Sequence, residues 1–260
     1  RNFDIEDDNF TFDQERANRL MNLVVETFGE ETLELSAMNG VSFASLDGDL
    51  LRMMKKAGFK TINLSFVSAD PIFKERMGRP GTTEAFDKVI SEAEQTHLNV
   101  IAYAILGMPD QTVAEMVNTM IYLMGKRVLI GPSVYYPTPG TSLFEQCKAK
   151  ELLPSHPSQW RSSALPIETE DFNRLDLITL FRLARVINFI KGKMDEGELN
   201  EGMTWGELDD VLKEKVEAEG ISSKEALTWI GLLLVFLKEG CFFSLKKGYV
   251  GRKSIFREKT

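Results

Sequence analysis

Short β-like runs recur along the first half of the chain at intervals of about 30 residues, with helix-like segments between them. The runs span 3–7, 33–38, 61–66, 99–106 and 130–136. A strand followed by a returning helix has this length, so the alternation predicts an α/β fold with a parallel sheet, either open or closed as a barrel. The runs are largely apolar, as expected for strands that are covered on both faces.

The segments between the runs show the periodicity of amphipathic helices. In 13–28, the side chains of Leu20, Leu23 and Phe28 fall on one stripe. Gly58 ends the second helical segment and is a residue typical of helix C-caps. The same helical pattern holds in 46–59, 82–95 and 112–125. Functional residues of α/β folds gather where strands end and helices begin, so site residues are expected at those points.

Polar and turn-forming residues follow each of the five runs. They include Asp7-Asp8-Asn9, Asn39-Gly40, Ser65 and Ser68, Gly107 and Pro109, and the segment 135–145. The carboxyl ends of parallel strands meet at one edge of a sheet, so these residues are expected to share one rim. The series favours a binding mouth over ordinary turn chemistry.

Several common kinds of enzyme site are absent from the sequence. No GxGxxG follows a strand, and neither GxxxxGK[ST] nor HExxH occurs. His97 and His156 are not beside a plausible nucleophile, so no catalytic residue and no metal site is predicted. The net charge of −8 argues against a chain that binds nucleic acid or anionic membrane with its whole surface.

The two cysteines, Cys147 and Cys241, lie far apart and show no CxxC spacing. Reduced thiols in a cytoplasmic protein are therefore expected. The longest apolar stretch, 226–237, is too short to span a bilayer and predicts a buried helix. No membrane partner is expected.

The C-terminal part shows a different pattern. We expect a barrel-like domain over 1–153, a connector over 154–169 and a mainly helical domain over 170–260, in which 241–256 is a candidate β-hairpin. The last 23 residues carry seven bases against two acids. A basic hairpin after helices is also found in winged helices, but a cap that covers the substrate is favoured over nucleic-acid binding.

The strand-end series, taken in order, resembles the radical SAM superfamily, specifically Fe–S oxidoreductases that are often fused to a cobalamin-binding domain. The resemblance lies in IEDDNFT (5–11), MNG (38–40), AGFKTINLSF (57–66), ERMGRPGTTEAF (75–86), YAILGMPDQT (103–112) and SVYYPTPGTSLFE (133–145). It implies a partial (β/α) barrel that binds S-adenosylmethionine (SAM) and a [4Fe–4S] cluster and generates a 5′-deoxyadenosyl radical. An oxidoreductase or methyltransferase acting on an unknown, small-molecule substrate is implied, with cobalamin as a possible further cofactor.

The superfamily's CxxxCxxC loop, whose three thiolates hold the cluster, does not occur in the sequence. The resemblance therefore leads us to expect a fragment that lacks the first barrel strand and the cluster loop and is inactive alone. A second hypothesis is a non-catalytic scaffold whose basic, winged-helix-like tail binds a partner.

The resemblance also implies roles for the strand-end residues that contact the polar part of SAM. Asp7 and Asp8 lie where the superfamily meets the methionine ammonium, and Asn39 belongs to the same rim. Ser65 or Ser68 is expected to reach the ribose or the carboxylate. Arg79 is expected either to pair with the methionine carboxylate or to cap the adjacent helix.

Four further residues are implied on the adenine side. Tyr103, Leu106 and Gly107 lie where the adenine packs, since glycine permits close backbone approach. Tyr136 closes that pocket from the last strand. Val67 stands where many members of the superfamily carry a glutamate.

Overall fold

A computed structural model describes residues 1–78 and 81–197 of the chain. Strands and helices alternate over this range as the sequence predicts. The strands are β1 (Asn2–Asp4), β2 (Glu34–Ser36), β3 (Thr61–Val67), β4 (Asn99–Leu106) and β5 (Leu129–Val134). The helices are α1 (Gln14–Phe28), α2 (Gly48–Ala57), α3 (Pro71–Arg76), α4 (Thr83–Gln95), α5 (Val113–Met124), α6 (Ser142–Ala149) and α7 (Arg174–Asp195).

Many of these helices begin with an N-cap residue, whose side-chain oxygen accepts a hydrogen bond from a backbone N–H of the first turn. The Asp47 carboxylate accepts a hydrogen bond from the Leu50 N–H at the start of α2. At the start of α5, Thr112 and Glu115 form a reciprocal capping box. Gly58 follows α2 with φ of 112°, and this left-handed conformation ends the helix as predicted.

Every strand pair in the described part of the chain is parallel. β1 pairs with β2, and β3, β4 and β5 pair in sequence order. Only two isolated bridges join the region of β2 to that of β3, namely Leu35 to Phe59 and Val41 to Leu64. Between these bridges the Asn63 side chain donates a hydrogen bond to the Ala37 carbonyl at 3.2 Å. A side chain thus takes the place of a missing ladder bond, and the predicted parallel, sequential order is confirmed.

The first strand is shorter than the predicted run 3–7. Pairing ends at Asp4, although the Ile5 N–H still donates to the Ser36 carbonyl at 2.8 Å. Beyond that point the Asp7 carboxylate accepts a hydrogen bond from the Asn9 N–H at 3.0 Å. This local turn competes with the ladder and moves Asp7 and Asp8 off the strand.

The core lies between the sheet and the helices. The helix-facing side chains of β4 are Val100, Ala102, Ala104 and Leu106, and all of them are buried. Side chains of α2, α4 and α5 pack on the same side of the sheet. The other side of β4, which carries Ile101, Tyr103 and Ile105, is only partly buried, and it faces the concave interior.

Helix α7 contributes to the same core and also binds the sheet through polar groups. Its buried apolar residues include Leu177, Leu180 and Ile187. The Asn188 side-chain amide accepts from the Ile130 N–H at 2.9 Å and donates to the Ile130 carbonyl at 2.8 Å. Helix α7 therefore covers the backbone edge of β5 at this point.

A buried ammonium group joins the same helix to the end of α5. The Lys191 Nζ donates to the carbonyls of Leu123, Lys126 and Val128 at 2.9, 2.7 and 3.0 Å. These carbonyls lie at the C-terminus of α5 and just beyond it, where helical carbonyls lack partners within the helix. The Lys191 side chain is fully buried and supplies that missing donor.

The predicted division at 154–169 remains a prediction, although α7 packs into the core of the barrel-like part. Most of the predicted helical domain, and the hairpin near 241–256, lie outside the described residues. No helix within the described ranges has the length and apolarity needed to cross a membrane.

Candidate functional site

An open cleft of about 390 Å³ lies at the carboxyl ends of the strands. Its walls come from the turn after β1, the loop after β2, the end of β3 and helix α3. The lining residues are Asp8, Asn9, Asn39, Gly40, Ser42, Phe43, Ser65, Phe66, Lys74, Met77 and Gly78. Three of the sequence-predicted site residues, Asp8, Asn39 and Ser65, thus meet in one cleft, at the edge where the sequence places them.

The two acids after β1 have different surroundings. Asp7 accepts a hydrogen bond from the Arg16 guanidinium at 2.9 Å, and this contact, with the backbone bond from Asn9, lowers the Asp7 pKa below its ordinary value. Within the described residues Asp8 forms no ion pair, and it lines the cleft. Asp8 is therefore the acid that can contact a ligand there.

Asn9 and the loop after β2 shape the wall opposite α3. The Asn9 side-chain oxygen accepts from the Thr11 hydroxyl at 3.1 Å and from the Ser42 N–H at 3.4 Å, so it is held in place. Asn39 is exposed at the rim. The next residue, Gly40, has φ of 87°, which favours glycine and turns the chain back toward β3.

The end of β3 is irregular, and this irregularity shapes the cleft. The pairing register shifts between Ser65 and Val67, so Phe66 is an extra residue in β3. Consecutive strand residues normally face opposite sides of a sheet, yet Ser65 and Phe66 both line the cleft. Val67 is buried with φ of 70°, a strained conformation for a β-branched residue. The strain is concentrated beside the cleft.

Lys74 of α3 is the cationic residue of the cleft lining, and sequence reasoning missed it. Its side chain is only 3% exposed, and its Nζ lies 5.4 Å from the centre of the Phe66 ring. Burial lowers the Lys74 pKa below its ordinary value, while the carboxylates of Glu84 and Asp70 act in the opposite direction. The burial of Lys74 could not be predicted, because a helix of six residues is too short for its periodicity to show which face is covered.

Tyr103 crosses the concave face next to the cleft. Its hydroxyl donates to the Met38 carbonyl at 3.1 Å, and it pairs across the sheet with Ser65. Burial, and the nearby Asp4 carboxylate, raise the Tyr103 pKa. Gly40 and Gly131 leave room for the ring: a Cβ at Gly40 would lie 3.1 Å from Tyr103 Cδ2, and one at Gly131 would overlap the ring. Tyr103 thus forms part of the floor below the mouth.

The remaining predicted site residues lie away from this cleft or outside the described ranges. Leu106 is fully buried in the core, and a Cβ at Gly107 would lie 2.9 Å from the Leu177 side chain of α7. Tyr136 is 44% exposed after β5. Arg79 lies outside the described residues. The expected adenine contacts of Tyr103, Leu106, Gly107 and Tyr136 therefore stay predictions.

The residues present do not fit an iron–sulfur cluster. Cys147, the cysteine of the described part, is buried on α6, and its sulfur lies 4.0 Å from the Tyr135 hydroxyl. Within residues 1–78 and 81–197, no group of three or more His, Cys, Asp or Glu side chains is arranged to hold a metal ion.

The family model described as the Radical SAM superfamily matches residues 15–123. The resemblance to the radical SAM superfamily is thereby confirmed. The matched radical SAM segment begins in α1 and ends in α5, so it includes Asn39, Ser65, Lys74 and Tyr103. Asp8 precedes the matched segment, and Tyr136 follows it. No curated protein matches the chain.

Two solved radical SAM enzymes are similar in structure. One is TsrM, a radical S-adenosylmethionine methyltransferase from Kitasatospora setae, whose structure contains cobalamin and a [4Fe-4S] cluster. The similar region covers 60% of this chain and 32% of the TsrM chain, with 16% sequence identity and a TM-score of 0.52. Coproporphyrinogen III oxidase (HemN) from Escherichia coli is 17% identical with a TM-score of 0.47, over 69% of this chain and 37% of its own. The chain thus spans about a third of each enzyme's length. The parallel strands and the likeness to TsrM confirm the predicted α/β fold with a partial parallel barrel.

Proposed function

We propose that the chain forms the SAM-binding mouth of a radical SAM enzyme. One observation carries the proposal: Asp8, Asn39 and Ser65 follow or end three successive strands and line a single cleft, most of whose lining residues belong to the matched radical SAM segment. Ligands of open α/β sheets and barrels bind at this edge of the strands.

The chemistry of the cleft suits a ligand that is charged at one end. Asp8 supplies a carboxylate for the methionine ammonium, and charge-assisted hydrogen bonds of this kind are among the stronger ones in proteins. Asn39 and Ser65 supply neutral polar groups, while Phe43, Phe66 and Met77 supply apolar surface. On the adenine side we retain Tyr103, Leu106, Gly107 and Tyr136 as proposed contacts.

The 260 residues hold two cysteines and no CxxxCxxC, so we propose that thiolates outside this sequence bind the cluster. SAM and the reduced cluster together supply radical chemistry in this superfamily. The part that we assign to this chain is to bind and orient SAM. Cobalamin is the second ligand to test, because the similar TsrM structure contains it.

Calorimetry with SAM on the full-length, cluster-containing protein under anaerobic conditions tests the proposal. We expect saturable binding with one SAM per chain. A protein with an intact cluster and no measurable SAM binding would overturn it and favour the non-catalytic scaffold. Titration of the same protein with cobalamin, followed by absorbance, tests the second ligand separately.

A further inference from the structure

Two buried hydroxyl groups meet where the end of β3 contacts α5. Thr119 and Ser68 are 2% and 1% exposed, and their side-chain oxygens lie 3.3 Å apart. The Thr119 oxygen also accepts a hydrogen bond from the Ala69 N–H at 3.0 Å. Neither hydroxyl belongs to the cleft lining. The pair therefore joins the turn after β3 to a helix that contributes no residue to that lining.

Hydrogen bonds continue from this turn to α3. The Asp70 N–H donates to the Ser68 oxygen at 3.1 Å, and the Asp70 carboxylate accepts from the Phe73 N–H at 2.7 Å at the start of α3. Lys74 lies in α3 and Met77 directly follows it, and both residues line the cleft. A continuous series of hydrogen bonds thus runs from α5 to one wall of the cleft.

The segment that these bonds hold is strained. Val67 has φ of 70°, and Phe66 is the extra residue in β3 just before it. Such conformations persist only where the surrounding structure over-determines them. The Phe66 ring stacks on the Tyr122 ring of α5, with centroids 5.3 Å apart and 6° between the planes. Thr119 and Tyr122 are three positions apart on α5, so one face of this helix fixes both the backbone and the ring.

We propose that Thr119 is a positioning residue of the cleft, because its hydroxyl holds the turn after β3 in the strained form that places Phe66 and α3 at the cleft wall. Without that hydroxyl the turn relaxes, and the wall that carries Lys74 is no longer fixed. A ligand then binds only the fraction of molecules in which the wall is in place, which weakens its apparent affinity. The effect on SAM binding rests on the proposed function, whereas the effect on the turn does not.

Thr119→Val in the full-length, cluster-containing protein tests the proposal, because valine has a similar shape but no hydroxyl. Hydrogen exchange of the Ala69 N–H should become about 5- to 10-fold faster, the factor expected for the net loss of one hydrogen bond. The affinity for SAM, measured by calorimetry, should fall by a similar factor. Thr119→Ser keeps the hydroxyl and should restore both values.

Two control variants separate positioning from general damage. Thr96→Val makes the same chemical change on α4, where the hydroxyl donates to carbonyls of its own helix, and should leave SAM affinity and Ala69 exchange unchanged. Lys191→Met removes bonds between α7 and the end of α5 and should lower the stability of the protein. Its SAM affinity should stay unchanged, which shows that reduced stability alone does not weaken binding.

Three results would overturn the proposal. Unchanged Ala69 exchange in Thr119→Val would show that the hydroxyl does not hold the turn. A lower free energy of unfolding with unchanged SAM affinity would leave Thr119 with a purely structural role. Equal losses of affinity in Thr119→Val and Thr119→Ser would show that the hydroxyl is not the group that matters.

Two further measurements keep these outcomes distinct. If Thr119→Val does not fold, Ser68→Ala breaks the same series of bonds at its next member, and faster exchange of the Asp70 N–H is the matching result. Unchanged Asp70 exchange in Ser68→Ala would contradict the proposal. Failure of the unmodified protein to bind SAM would overturn the proposed function instead, and the exchange of the Ala69 N–H would still decide whether Thr119 holds the turn.

Discussion

The Tyr103 hydroxyl and the Met38 carbonyl oxygen are 3.1 Å apart, although 65 positions separate the two residues in the sequence. The bond links β4 directly to the loop after β2 and passes across the interior face of β3. It fixes the loop that carries Asn39 and Gly40 to the wall of the barrel. One side-chain hydrogen bond thereby helps to position the rim of the cleft, where the β2–β3 ladder is interrupted.

Tyr103→Phe should loosen that loop without emptying the space that the ring fills. We expect the free energy of unfolding to fall by about 1 kcal/mol, the usual net contribution of one hydrogen bond. Urea denaturation measures the change. Tyr136→Phe is the matched control, because Tyr136 is 44% exposed. Equal effects of the two substitutions would contradict the structural role of the Tyr103 hydroxyl.

Gly131→Ala should disturb the same ring from the opposite side. The added Cβ would overlap Tyr103, so the ring or β5 must move, and overpacking of this kind costs about 1–3 kcal/mol. Thermal unfolding checks the loss of stability. Gly192→Ala in α7 is the control, since nothing lies within 4 Å of a Cβ there and alanine favours helices. The control should be neutral or stabilising, and a stable Gly131→Ala protein would contradict the close packing.

Lys191→Met should destabilise the protein by about 2–4 kcal/mol, because three backbone carbonyls lose the donor that they share. Methionine fills similar space, so the loss reports hydrogen bonding more than packing. Denaturant unfolding gives the change, and Lys148→Met at an exposed position serves as the control. A difference below about 0.5 kcal/mol would show that the buried ammonium does not hold α7 in place.

The stability that depends on Lys191 should also vary with pH. Burial lowers the Lys191 pKa from 10.5 to about 7, although Asp195 acts to raise it. At pH values between these two pKa values, Lys191 is protonated in the unfolded chain and neutral in the folded chain. The free energy of unfolding should therefore rise with pH from about 7 to 10. The neutral amine has two N–H donors, so two of the three carbonyls can still accept a hydrogen bond from it. Unfolding at pH 7 and pH 9 should show this gain in the unmodified protein and not in Lys191→Met; parallel changes would contradict it.

The two acids after β1 should differ in their effect on SAM binding. Asp8→Ala should weaken SAM binding to the full-length protein by about 1.5–3 kcal/mol, the range for a hydrogen bond to a charged group. Asp7→Ala should leave the affinity nearly unchanged, because Asp7 is engaged with Arg16. Calorimetry on both variants checks the contrast. An equal loss of SAM affinity in the two variants would indicate that both acids act only through the turn after β1.

Much of the fold could be predicted because the strand segments are apolar and the longer helical segments between them are periodic. The start of β3 and both ends of β4 agree with the predicted runs 61–66 and 99–106. The end of β1 was predicted less accurately, because the hydrogen bond from the Asn9 N–H to the Asp7 carboxylate draws the chain away from the strand ladder. Local side-chain bonds of this kind do not alter the hydrophobic pattern.

The site was predictable where a residue follows a strand directly. Asp8, Asn39 and Ser65 line one cleft as the strand-end pattern predicts, since the strand ends fix their approximate positions, and their contact with SAM stays a prediction. Lys74 was missed because its place depends on how α3 packs over Phe66, which is a tertiary contact. The side chain of Leu106 lies on the helix-facing side of β4, and its predicted contact with the adenine stays a prediction.

The Asn188 side chain reproduces, on a helix, the donor and acceptor of a peptide group at Ile130. For a strand at the end of a sheet, unpaired backbone groups invite intermolecular pairing and aggregation. By mimicking a neighbouring strand at this residue, Asn188 blocks that route on the β5 side. One amide side chain thus makes the backbone of Ile130 unavailable to another chain and also links α7 to the sheet.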